Sequence, residues 1–121
     1  MGARLMSRSW RTGNAEDDSR GTRGWFLGHF VEAGDIRSTD ALEVKWGIHP
    51  PGDERATWVT NDGRTALVVL VEGGPFTVTL ATGEAELRRV GDYVIYGPGI
   101  DHTWRAVEHS VVLTVRWPSM P

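Results

Sequence analysis

From residue 41 to the C-terminus, apolar and polar side chains trade places in short runs separated by glycine-rich breaks. Residues 41–49 are the clearest case: Leu42, Val44, Trp46 and Ile48 alternate with Glu43, Lys45, Gly47 and His49. A period of two puts each set on its own face of a strand. Pro50-Pro51-Gly52 ends that strand. Residues 55–60 and 65–71 then read as two strands around Asn61-Asp62-Gly63, whose Asp-Gly step is a hairpin signal. Gly73-Gly74 separates 65–71 from a strand at 76–80, Thr82-Gly83 makes a further turn, and 84–90 leads to Gly91. Residues 93–96 and 109–117 complete the series, and 25–31 reads as an earlier aromatic strand. No helical periodicity is sustained anywhere. Short strands at regular spacing predict an all-β sandwich or barrel.

The N-terminal residues 1–23 lack this pattern. They hold five arginines against Glu16, Asp17 and Asp18, a charge of +2 that leaves -5 on the remainder of a chain whose net charge is -3. Such a segment is expected to be a flexible arm ahead of a single barrel domain at 24–121. At 121 residues the chain suits one domain with a real core. A net charge of -3 gives no pull toward nucleic acid or an anionic membrane, and no apolar run approaches the length of a membrane span. The absence of cysteine excludes disulfides and thiolate chemistry. A soluble, cytoplasmic protein is the expectation.

The stretch from Gly91 to Trp104 carries the most chemistry. A short apolar strand breaks at Gly97-Pro98-Gly99 and delivers His102. Proline fixes its own φ and glycine opens angles closed to other residues, so the bend aims a side chain without bulk of its own.

This stretch resembles the second sequence motif of the cupin family: Gly, five residues, Pro-x-Gly, two residues, His, three residues, Asn. Gly91, Gly99 and His102 fall in register, whereas Gly97 stands for the family proline and Ala106 for the asparagine. The resemblance extends over 41–117 and implies a single-domain, cupin-type jelly-roll β-barrel with the histidine inside. Lys45-Trp46-Gly47, Gly91-Asp92-Tyr93, His102-Thr103-Trp104 and Arg116-Trp117-Pro118-Ser119 are also similar to a small bacterial cupin group without an assigned reaction. The first cupin motif, which normally supplies metal ligands, is absent. Anchored on Gly73, its glutamate position falls on Ala66 and its histidines on Thr60 and Asp62, or on Val59 and Asn61. One histidine cannot supply the three or four donors a mononuclear site needs, so no metal and no other cofactor is expected. Asp62 could add one oxygen, and His49 would have to reach the same point.

The candidate pocket residues are His102 and Tyr96 for chemistry, and Lys45, Trp46, His49, Trp58, Thr60, Trp104 and Arg116 for binding. Histidine suits proton transfer because it both takes and gives a proton near neutrality. Isomerase, cyclase or lyase chemistry on a small organic molecule is one expectation. A non-catalytic binding module, its tryptophans gripping an apolar ligand, is the other. An inward Lys45 or Arg116 implies an anionic ligand or an internal ion pair, because buried charge is costly unless compensated. The opposite arrangement buries Val44, Trp46 and Ile48 and leaves the charges in water, the usual outcome. His109 is expected in solvent at a turn, and His29 to be hydrogen-bonded or functional. Pairing through strand edges, with 25–31 at the interface, predicts a homodimer.

Overall fold

The computed structural model describes residues 9–60 and 63–121. Among them, the chain forms one helical turn, α1 (Ala15–Asp18), and nine strands: β1 (Trp25–Leu27), β2 (Glu43–His49), β3 (Glu54–Thr60), β4 (Thr65–Gly73), β5 (Phe76–Leu80), β6 (Gly83–Leu87), β7 (Tyr93–Tyr96), β8 (Asp101–Ala106) and β9 (Ser110–Trp117). Two antiparallel sheets result, ordered β1-β2-β9-β4-β7 and β3-β8-β5-β6. The many non-consecutive neighbours are the crossovers of a jelly roll. The alternation in the sequence therefore translates into an all-β, two-sheet barrel, as expected.

The core lies between the sheets. Ala66, Val68, Leu70, Tyr96 and Val112 from the five-stranded sheet meet Phe76, Val78, Leu87 and Ala106 from the four-stranded one. Each set has the parity that alternation requires, so one residue in two along a strand reaches the interior.

On β2 the parity is the less expected one. Glu43, Gly47 and His49 are buried, and Ile48 is exposed. The charged face is turned inward because it is compensated there. Glu43, only 1% exposed, accepts a hydrogen bond from Arg116 Nε at 2.7 Å and another from Ser119 Oγ at 2.9 Å. The register sets Glu43 directly opposite Arg116. The apolar set Val44, Trp46 and Ile48 faces outward.

Two expected elements are shorter or different. The 25–31 strand stops at Leu27, where the register with β2 shifts. Of the segment read as a flexible arm, residues 1–8 lie outside the described residues, but 9–23 carries α1 and packs on the barrel. Arg11 is almost fully buried and pairs with Asp35 at 2.8 Å and Asp18 at 3.5 Å. Arg37 also grips Asp35, whose carboxyl is held down to about 2 chiefly by that hydrogen bond. The turn residues Asn61 and Asp62 lie outside the described residues. No helix among the described residues is long and apolar enough to cross a membrane.

Candidate functional site

One end of the space between the sheets is left open as a cavity of about 210 Å³. That is below the roughly 300–1,000 Å³ of pockets for drug-sized ligands and suits a smaller molecule. Its wall includes Lys45, His49, Thr60, Tyr96, His102, Trp104 and Arg116 from the sequence-based candidates. Trp46 and Trp58 are not on it. Trp46 shares the outward face of β2 with Val44 and Ile48. Trp58 is out of step with Arg55 and Val59, which do line the cavity, and stays half exposed. Sequence reasoning missed Trp25, Arg55 and the carboxylate of Asp53 behind the wall.

The bend between β7 and β8 places two of these groups. Gly99 has φ +77, a conformation closed to most side chains, whereas Gly97 has no positive φ. Across the bend the rings of Tyr96 and His102 lie 4.6 Å apart. His102 Nδ1 is 3.1 Å from the carbonyl oxygen of Ile100. A carbonyl only accepts, so Nδ1 carries the proton and the neutral ring keeps a lone pair on Nε2. Burial lowers the pKa of His102 and so favours this neutral form. The Tyr96 phenol is pushed up to about 12, mainly by burial, so it remains a hydrogen-bond donor at neutral pH.

His49 is built differently. Its Nδ1 lies 2.7 Å from Asp53 Oδ2, in the turn that follows Pro50-Pro51-Gly52. Its ring packs against Trp104 at 4.5 Å and Phe76 at 5.3 Å. A Cβ on Gly47 would come within 2.8 Å of His49 Nε2, so glycine at that position makes room for the ring. Burial lowers the His49 pKa more than the Asp53 carboxylate raises it.

The third group is cationic. Arg116 stacks on Trp25 at 4.2 Å, and Lys45 Nζ lies 5.8 Å from the same ring. Lys45 has its pKa lowered, first by burial and then by Arg55 and Arg116. Of the remaining histidines, His29 shares a 2.6 Å hydrogen bond with Ser119 and belongs to the Glu43 network. His109 is exposed, 3.2 Å from Glu72.

These donors do not fit a divalent metal. No group of three or more His, Asp or Glu among the described residues could hold one. Among the described residues the wall offers two imidazoles, no carboxylate and three cations, and a positive surround disfavours a further cation. Asp62 is outside the described residues.

The fold and the inward-facing pocket define a class: the protein has the small, single-barrel cupin fold. Several solved structures share it at low sequence identity. KdgF from Halomonas sp. matches with a TM-score of 0.61 and 22% identity, over 68% of this chain and 73% of that one. An RmlC-like cupin from Shewanella frigidimarina matches at 0.56 and 18% identity, over 66% and 68%. Salicylate 1,2-dioxygenase from Pseudoaminobacter salicylatoxidans (G106A mutant) matches at 0.55 and 17% identity, over 64% of this chain and 21% of that larger one. No family model matches the sequence, and no curated protein matches it.

Proposed function

We propose that the protein takes a small organic molecule into the cavity between its sheets and moves a proton on it, with His102 as the acid-base group and no resident metal. The observation that carries this reading is the hydrogen bond from His102 Nδ1 to the Ile100 carbonyl. It fixes the tautomer, leaves Nε2 as the base, and sets the ring beside a phenol that stays protonated. A base that removes a proton next to a donor that stabilises the developing negative charge is the minimum apparatus for isomerisation, cyclisation or elimination. That salicylate 1,2-dioxygenase is built on the same fold supports catalysis in such a barrel. The poor fit of the wall to a metal supports proton chemistry in place of Lewis-acid chemistry.

A second reading is non-catalytic binding. Trp25, Phe76 and Trp104 give the cavity aromatic walls, and Phe76 and Trp104 stack at 5.6 Å. Such walls grip a flat ligand whether or not it reacts.

His102→Ala decides between a working and a structural histidine. In the proposed role the variant keeps the wild-type melting temperature and loses turnover or fragment binding. A histidine needed only for the core would cost about 1–3 kcal/mol of stability through its stranded partners. Thermal melting of both proteins against a fragment library reads the two outcomes. A strongly destabilised variant, together with no fragment that shifts the wild type, sinks the proposal.

A further inference from the structure

The charges on the cavity wall do not balance. Lys45, Arg55 and Arg116 line it, and among the described residues no aspartate or glutamate does. The chain as a whole carries -3, so this is a positive interior in an acidic protein. Two of the wall's basic groups are compensated from behind: Arg116 by Glu43 at 2.7 Å and His49 by Asp53 at 2.7 Å. Lys45 and Arg55 have no ion pair among the described residues. Lys45 is half-buried, and its neighbours Arg55 and Arg116 repel it. An ammonium in that position lacks part of its water shell, and in return has the face of Trp25 and the more distant Asp53 carboxylate but no ion pair. Low-dielectric walls concentrate the field of the cations into the open space between them.

We propose that the molecule received by the cavity is an anion, specifically a small carboxylic acid, whose carboxylate is held by Lys45 and Arg55 while its body lies against Trp25, Phe76 and Trp104. The inference rests on reading the cavity as a ligand site and names the chemical class of that ligand. A guanidinium and an ammonium complement a carboxylate well, the first through paired N–H donors and the second as a point charge. Arg116 adds to the attraction but is already engaged by Glu43. The carboxylate would supply the missing counter-charge.

The test uses the full chain and benzoate, succinate and inorganic phosphate as anionic probes, with benzamide as the uncharged isostere of benzoate. Calorimetry and thermal shift are run on wild type, Lys45→Met, Arg55→Met and His102→Ala. At least one carboxylate is expected to bind wild type more tightly than phosphate or benzamide, with an affinity that falls as salt rises. Lys45→Met and Arg55→Met should each weaken it about 10- to 100-fold, the effect of losing one charge-assisted contact. Ligand-free Lys45→Met should melt at or above the wild-type temperature, because burial and the repulsion of Arg55 and Arg116 outweigh what holds the ammonium there. Carboxylate affinity unchanged by Lys45→Met and by Arg55→Met, benzamide binding as tightly as benzoate, or no anion shifting wild type more than Lys45→Met overturns the inference. A benzamide response lost only in His102→Ala would defeat the anion while leaving the acid-base reading intact. Preference for phosphate over both carboxylates would also overturn the assignment of ligand class.

Discussion

At the scale of single residues, the site is governed by what stands behind each polar group. His49 and His102 both have pKa values below the ordinary 6.5, chiefly through burial. In the folded protein they resist protonation, whereas in the unfolded chain they take up protons near 6.5. The unfolded state therefore binds more protons as pH falls, and stability rises with pH across that range. Both rings are neutral in either state well above 6.5 and contribute no slope there. The melting temperature is expected to fall progressively from pH 7 to pH 5, with a shallower fall in a His49→Gln, His102→Gln double variant. An equally steep fall in that variant would trace the pH dependence to other groups.

At the scale of elements, β2 and the β7–β8 bend show what the sequence conveyed and what it withheld. Strand positions were legible because alternation and glycine breaks act locally. The bend was legible for the same reason, and so was the histidine it delivers. The inward face of β2 was not legible. By hydropathy, Val44, Trp46 and Ile48 outrank Glu43, Lys45 and His49, and the reversal depends on Asp53 in the next turn and on Arg116 and Ser119, which arrive from the far end of the chain. Trp46 was misassigned to the cavity for that reason. Arg55 was missed because no local pattern distinguishes it from a solvated arginine at a strand end. The bend itself is testable by a paired comparison. Gly99, at φ +77, should lose about 1–2 kcal/mol on substitution by alanine. Gly97→Ala should be close to neutral, since its φ is not positive and nothing lies within 4 Å of the added carbon. Denaturant melts of the two variants measure this difference, and equal losses would mean that the bend does not depend on the left-handed residue.

At the scale of the whole molecule, the outward face of the five-stranded sheet demands cover. Cross-strand register places Val44, Val115, Leu67 and Ile95 in one row and Trp46, Leu113, Val69 and Tyr93 in the next. No charge interrupts either row. Ile95 and Tyr93 are more than half exposed, as is unusual for large side chains on a sheet. A continuous apolar face marks an interaction surface, and an uncharged face can satisfy its own twofold copy. We expect a homodimer joined across this face. Within the 25–31 segment Trp25 turns inward to Arg116, whereas Phe30 stays exposed. Light scattering should give twice the chain mass at micromolar concentration, and Tyr93→Glu with Ile95→Lys should return it to the monomer while preserving the far-ultraviolet spectrum. A wild-type monomer across that range would reject the interface. Membership of residues 9–23 in the folded body was hidden from the sequence for a related reason: Arg11 finds Asp35 only after the chain has turned back.

The pairing of Arg116 with Glu43 divides the cations of the cavity into two kinds with different evolutionary freedom. Arg116 is a structural tenant, since replacing it would take the closest cation from a carboxylate that is 1% exposed and leave it to Ser119 and the more distant Arg64. Among the described residues Lys45 and Arg55 have no such ion-pair partner, and a change at either breaks no buried ion pair. Descendants of this sequence can therefore alter what the cavity accepts by drifting at two positions while a third stays fixed. The same asymmetry tells an engineer where to begin: libraries at 45 and 55 explore new guests, whereas a library at 116 mostly samples damaged barrels.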